Sequence, residues 1–376
     1  MSAKKRKENL QTIWQSAVAA VSGETAVENA IRQDSEFKPH QIIAVGKAAV
    51  GMCRGALNQL GDCPALVVTK YDHADEDILS RDNVSVIESA HPIPDNKSLQ
   101  AGKAMLDCVQ DMAGDTRLLL LVSGGASSLA ESLSNDLTLQ DLQTITDEMI
   151  STGKTIGEIN KRRKEISDIK DGKLLAAFKG AEVRVYAISD VEGDSISTIG
   201  SGIGDCHRAV SKATSKVIAS NQIARQRAAE TAQSLGLQVK HNDESLYDDV
   251  FKLAPAIAER LKQADKGVYI WGGEPTVILP NNPGRGGRNQ ALALAISEHL
   301  LGLDNITLLV AGTDGSDGPT NAAGGLVDGK TFRDIGAATQ ALKAADAGTY
   351  LEQHDSLFVT GPTNTNVMDL AIAIVE

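Results

Sequence analysis

Aromatic residues make up only 3% of the 376-residue chain, too few for stacking on bases or sugars to be a general theme. Positive charge is also short. Against 49 Asp and Glu stand 37 Lys and Arg, a formal net charge of −12, which argues against DNA or an anionic membrane as a general partner. A small anionic ligand needs only one local basic pocket and stays open. The four cysteines, Cys53, Cys63, Cys108 and Cys206, lie far apart with no C-x-x-C pair, as expected of free thiols in a reducing compartment. No apolar run approaches the length that spans a bilayer. The basic opening MSAKKRKENL leads into polar sequence instead of the apolar stretch of a secretory signal. The expectation is a soluble, cytoplasmic protein with no nucleic-acid and no membrane partner; a homo-oligomer stays open.

Several catalytic signatures are missing too. Neither the P-loop pattern G-x-x-x-x-G-K-[ST] nor the dinucleotide fingerprint G-x-G-x-x-G occurs. The seven histidines show no metal-ligand spacing, and there is no G-x-S-x-G elbow. A zinc site, a serine hydrolase and a standard dinucleotide site are therefore disfavoured.

What the chain has in quantity is glycine, 34 residues, set among short apolar runs that alternate with helical patterns. That alternation predicts α/β architecture. The length predicts two domains, with a boundary in the polar segment 240–249 and hence domains 1–245 and 246–376. Predicted strands are 41–45, 65–69, 84–88, 117–122 and 183–189, then 266–271, 276–279, 306–311 and 356–360. Predicted helices are 10–31, 48–60, 95–111, 139–151, 221–235, 289–301 and 365–375.

Several predicted strands end in loops of small residues. Lys47 follows one strand and a glycine. Ser123, Gly124, Gly125, Ala126, Ser127 and Ser128 follow another. Backbone N–H groups at such a strand-to-helix turn make an anion site, and glycines let a phosphate approach the chain. A crowded turn that merely needs small residues is the equally ready alternative. Asp190 and Asp194 lie past a third strand, and Asp314 and Asp317 past a fourth, in GTDGSDGPTNAAGG. Glu274, Arg285 and Arg288 surround a glycine-rich stretch, where arginine can grip a carboxylate or phosphate through paired hydrogen bonds. The run INKRRKEISDIKDGK (Lys161, Arg162, Arg163, Lys164, Lys170, Lys173) reads as a solvated helix face or as a patch that receives an anion. Acidic loops, glycine loops and isolated cations together fit phosphoryl transfer, which relies on positioning, Mg²⁺ held by carboxylates, and cations on developing charge.

In order along nearly the whole chain, VGKAAVGM, VVTKYDHA, ESAHPIPDNKSLQAG, LVSGGASSL, NKRRKEISDIKDGKL, ISDVEGD, ASNQIA, GGEPTV, GRGGRNQ, GTDGSDGPTNAAGG and TGPTNTNVMDL resemble the glycerate 2-kinases of the MOFRL type, some of which are labelled hydroxypyruvate reductases. The resemblance implies two α/β domains, the first Rossmann-like, with the active site in an interdomain cleft. It implies transfer of the γ-phosphate of ATP to the 2-hydroxyl of D-glycerate with Mg²⁺. Carried onto this chain, it assigns Lys47, Asp190 and Arg288 to catalysis. Ser123, Gly124, Gly125, Ser127, Asn221, Glu274, Asp314 and Asp317 fall to nucleotide contact, and Asp190 and Asp314 to the metal. Lys47 would meet the transferring phosphoryl group, and Arg288 the substrate carboxylate or transition-state charge. The chain departs from the family pattern at Glu165 (usually His), Asp171 (Gly), Ala291 (Glu), Asn321 (Asp), Asn364 (Gly) and Met368 (Asn). It is also shorter after ISDVEGD. The departures leave the exact acid open, and an NAD(P)H-dependent reductase of hydroxypyruvate is the alternative activity.

Overall fold

Apolar runs such as IIAV and LLLLV leave strand backbones with few options, because burial on both faces requires every N–H and C=O to pair across a sheet. A computed structural model describes residues 1–134, 137–152, 154 and 156–376, with backbone alone at 150 and 156. The strands are β1 (Gln41–Val45), β2 (Ala65–Lys70), β3 (Val84–Ser89), β4 (Arg117–Val122), β5 (Glu182–Ile188), β6 (Lys212–Ala219), β7 (Val239–Leu246), β8 (Gly267–Gly273), β9 (Ile306–Gly312), β10 (Gly324–Asp328), β11 (Leu357–Phe358) and β12 (Asp369–Val375). They form two six-stranded sheets in an α/β fold.

The chain divides into two compact units, Ser22–Ala219 and the pair of segments Met1–Val21 and Ser220–Glu376. This differs from division into residues 1–245 and 246–376. Helices Ala3–Ala20 and Asn221–Ser234 pack on each other, and the first also packs on β9 and β12. Arg6 ties it down by donating from Nε to Thr307 Oγ1 at 2.8 Å, and Trp14 meets Phe358 edge-on with ring centroids 5.0 Å apart. The predicted single helix 10–31 is thus two helices. It breaks at Val21, after which Ser22 caps the helix Gly23–Gln33 by accepting from Thr25 N–H.

In the Ser22–Ala219 unit the sheet order is β3-β2-β1-β4-β5-β6, with every pair parallel. That is the doubly wound, Rossmann-like order, and its direction reverses between β1 and β4, where ligands bind past the carboxyl ends of the strands. Below that edge lies a core of Ile43, Val45, Leu118, Leu120, Val183 and Val185.

In the other unit the order is β11-β10-β9-β12-β8-β7, and only β7 and β8 run parallel. Here three expectations are corrected. Residues 369–375 are the central strand β12 instead of the end of a helix, because DLAIAIV is buried at every position between β9 and β8. The predicted linker 240–249 is largely β7, a polar edge strand whose alternating exposure hides its pairing. Residues 276–279 form no strand; only Thr276 makes an isolated bridge, to Asp249.

Candidate functional site

Five adjacent parallel strands deliver their carboxyl-terminal loops to one edge of the first sheet. From β1 come Gly46 and Lys47, from β2 Lys70, from β3 His91, from β4 Ser123–Gly125 and from β5 Asp190. The loops of β1 and β4 flank the switch point and are bonded to each other. Lys47 N–H donates to the Gly124 carbonyl at 2.9 Å, and Ser123 N–H to the Val45 carbonyl at 3.0 Å. Ser123 Oγ accepts the Ala48 N–H at 3.1 Å, at the start of helix Ala49–Leu60.

The two glycines are required here by space. A Cβ on Gly124 would lie 2.0 Å from Asp190 Oδ2, so the carboxylate rests against bare backbone. Gly125 is left-handed (φ +83°), and a Cβ there would lie 3.1 Å from Lys47 Cγ and 3.2 Å from His91 Nε2. Ser127 shares a 2.8 Å hydroxyl contact with Ser201. The predicted Lys47, Ser123, Gly124, Gly125, Ser127 and Asp190 are therefore one constellation.

Sequence reasoning missed His91 and Lys70. Burial first, then the charges of Lys47 and Lys70, lower the His91 pKa to about 4, so the ring is neutral at pH 7. The signal was available: ESAHPIP places a histidine two residues past a strand, but with no metal-like spacing it drew no notice.

Four cations of the predicted basic patch are spent internally, while the buried Nε of Arg163 has no partner among the described residues. Lys170 is fully buried on Glu131, and burial brings its pKa down to about 8 against the pull of that carboxylate. Lys173 Nζ donates to the carbonyls of Lys164 and Ser167 at 2.9 and 2.6 Å. Lys164 Nζ donates to Ser197 O at 2.7 Å, and Arg162 pairs with Glu165 at 3.0 Å. By contrast, Lys47 and Lys70 both lie at the carboxyl-terminal edge of the sheet, where their charges act on the His91 ring.

The other unit gathers Glu274, Arg288, Asp314 and a residue the sequence did not single out, Asp369. Arg288 starts the helix Arg288–His299. It donates from Nε to Asp369 Oδ2 at 2.6 Å and pairs through Nη1 with Glu274 at 2.8 Å. Burial opposes its charge, but Asp369 and Glu274 outweigh that and hold its pKa above the ordinary value. Two carboxylates on one guanidinium leave little for a substrate carboxylate, so the geometry does not support that role for Arg288. A Cβ on Gly312 would lie 3.2 Å from both Asp314 Oδ1 and Asp369 Oδ1, so the two carboxylates flank the end of β9 together.

Two assigned residues have other tasks. Asp317 is only 4% exposed; its oxygens accept from Asn289 N–H at 3.0 Å, Gln290 N–H at 2.8 Å and Gln290 Nε2 at 3.0 Å. It closes the start of the Arg288–His299 helix, whose free N–H groups need an acceptor. Burial raises its pKa to about 6, with those N–H groups pulling the other way. Asn221 is fully buried and donates from Nδ2 to the carbonyls of Val367 and Asp369 at 2.9 and 3.0 Å, while its Oδ1 accepts from Arg225. Both are spent on positioning backbone, which sequence alone could not show.

Among the described residues no group of three or more His, Cys, Asp or Glu is placed to hold a metal. Mg²⁺ asks for less, since it commonly rests on one or two carboxylates plus substrate phosphates and water. Asp190 beside the glycine turn fits that demand. So does Asp314, whose Oδ1 takes a single N–H, from Ser316 at 2.9 Å. No helix among the described residues is long and apolar enough to cross a membrane.

Comparison with known proteins places the chain in a family. Residues 9–235 match the model of a domain of unknown function (DUF4147), and residues 267–369 that of the MOFRL family. The chain is 32% identical to the D-glycerate 2-kinase of Thermotoga maritima, over 89% of this chain and 90% of that one. It is 33% identical to the glycerate 2-kinase of Pyrococcus horikoshii, over 96% and 95%. It is also 31% identical to a protein of Agrobacterium vitis provisionally named hydroxypyruvate reductase. The crystal structure of the Thermotoga maritima glycerate kinase superposes with a TM-score of 0.92, covering 99% of this chain at 30% identity. The chain belongs to the MOFRL family of glycerate kinases.

Proposed function

We propose that the protein transfers the γ-phosphate of ATP to the 2-hydroxyl of D-glycerate. The observation that carries this reading is the loop constellation at the β1/β4 switch point, where Lys47, Ser123–Gly125 and Asp190 converge. Its support is the identity to proteins named as glycerate 2-kinases. The substrate hydroxyl oxygen forms the new bond to the γ-phosphorus as the bond to the bridging β–γ oxygen breaks, and ADP leaves with that electron pair. Asp190, the carboxylate nearest the glycine turn, takes the hydroxyl proton or supplies an oxygen to the metal. Lys47 offsets charge on the phosphoryl oxygens, and the Gly124–Gly125 backbone lets phosphate approach its N–H groups. Bound Mg²⁺, held through Asp190 or Asp314, would neutralise phosphate charge. Cytoplasmic action on freely diffusing ATP and glycerate completes the proposal.

The test is coupled ADP release over D-glycerate, L-glycerate and four-carbon hydroxy acids, with phosphorus NMR of the product. Turnover that needs D-glycerate and Mg²⁺ and gives the 2-phosphate is expected. ADP release from no small acid would end the proposal. The relative provisionally named as a reductase motivates one control, in which hydroxypyruvate should cause no loss of nicotinamide absorbance.

A further inference from the structure

We infer that Lys70 and His91, beside Lys47, form the subsite that receives the carboxylate of the acceptor acid, and so set its selectivity for a 2-hydroxy acid over a neutral diol. The inference rests on the kinase reading above. It begins from the cations already engaged elsewhere. Arg288, the residue expected to grip that carboxylate, already holds Asp369 and Glu274. Four cations of the run 161–173 are bonded to Glu131, Glu165 and backbone carbonyls. Lys47 and Lys70 instead direct their charge at the His91 ring.

Lys47 and Lys70 come from the neighbouring strands β1 and β2. Lys70 ends β2 and is paired in register with Ser89 of β3; His91 follows two residues later. The His91 ring and the Lys47 stem close over Gly125 from outside, each a little over 3 Å from where a side chain would begin. Both lysines act on the His91 ring, as its depressed pKa records. A neutral imidazole can donate one N–H to a carboxylate oxygen without needing a counter-charge. Lys70 adds a charge-assisted bond. Of the carboxylates on these strands and loops, Glu88 is already engaged by backbone and Asp190 belongs to the same constellation. Glu88 accepts the His73 and Ala74 N–H groups at 3.0 and 2.9 Å, and Asp190 lies against Gly124.

Chemistry fixes the distance. In a 2-hydroxy acid the carboxylate is bonded to the carbon that bears the attacking hydroxyl. If Lys47 meets the transferring phosphoryl group, the carboxylate lies one carbon beyond the attacking hydroxyl, and Lys70 and His91 are the further donors on this strand edge. The triphosphate is the competing anion, and it has the Ser123–Gly125 backbone instead.

The experiment compares wild type with Lys70→Met, Lys70→Arg and His91→Asn, measuring KM for D-glycerate and for ATP separately, with thermal melts as a check on folding. Expected is a rise of roughly ten- to a hundredfold in KM for D-glycerate in Lys70→Met, a smaller rise in His91→Asn, KM for ATP within about threefold, and partial recovery in Lys70→Arg. A rise in KM for ATP with that for D-glycerate unchanged would assign the cluster to the triphosphate and overturn the inference, as would unchanged kinetics in both variants. If Lys70→Met does not fold, Lys70→Arg and His91→Asn carry the same comparison. Calorimetric titration with D-glycerate alone separates the two readings. A wild type that binds D-glycerate, weakened by Lys70→Met, but releases no ADP would refute the kinase and keep the subsite. A wild type that turns over ATP, with D-glycerate binding untouched by Lys70→Met, would keep the kinase and refute the subsite.

Discussion

Two groups of cations in the Ser22–Ala219 unit behave in opposite ways. In the run from Lys161 to Lys173, dense in sequence, four members are spent: Lys170 on Glu131, Lys173 and Lys164 on carbonyls, Arg162 on Glu165; the buried Nε of Arg163 has no partner among the described residues. Lys47 and Lys70, with the neutral His91, are scattered over more than forty positions of chain, yet parallel strands bring them to one edge. Density along a chain lets some members pair locally, as Arg162 does with Glu165 three residues on, while others are buried against distant groups, as Lys170 is on Glu131. Residues delivered singly by separate strands lack helix-turn neighbours and meet one another only at the sheet edge.

The sharpest way to break that contrast is to remove Glu131. If the dense run is structural, Glu131→Ala strands a buried ammonium and should cost about 3–5 kcal/mol of stability, seen as a lower denaturation midpoint. A variant that keeps its midpoint and loses only activity would reverse the comparison. Next in size, Lys47→Ala should lower turnover by roughly a hundred- to a thousandfold with little change in the thermal midpoint, as ADP release and calorimetry would show. Residual activity near wild type would remove Lys47 from the site.

A pH titration sharpens the same contrast more gently. His91 is protonated near pH 4 when folded, against an ordinary value of 6.5. Between those values the unfolded chain binds the extra proton, so acidification from about pH 6.5 to about pH 4 should cost stability through this ring. Melts of wild type and His91→Asn across that window should converge as pH falls; parallel curves would count against a neutral, enclosed ring. The smallest effect belongs to Arg162→Ala. It breaks an exposed pair with Glu165 and should change stability by less than about 1 kcal/mol and leave KM for both substrates alone.

The first sheet was nearly written in the chain. QIIAV and RLLLLV coincide with β1 and β4 to the residue, since short apolar runs bounded by polar turns admit few other structures. The second sheet was harder. DLAIAIV carries no period that separates a buried strand from a buried helix, and only its seat between β9 and β8 decides. VKHNDESL looks like a linker because an edge strand has one wet face. At the site the glycine loop and Lys47 were legible from residue type. Asp317 and Asn221 were misread for one reason, that an acceptor serving a distant helix start or strand end has the same composition as one serving a ligand. The departures at Asp171, Asn364 and Met368 gained meaning only from the backbone. All three are left-handed, with φ of 56°, 58° and 66°, so the chain keeps the bends for which glycine or asparagine is better suited.

The seat of helix Ala3–Ala20 sets an order on biosynthesis. This helix is translated before β9 and β12, on which it packs, and its Leu10, Ile13, Trp14 and Ala17 are buried in the finished unit. While Ser22–Ala219, which holds its own sheet and core, is being made, that apolar stripe has not yet met those strands. The interval of stickiness closes only when β12 slides between β9 and β8.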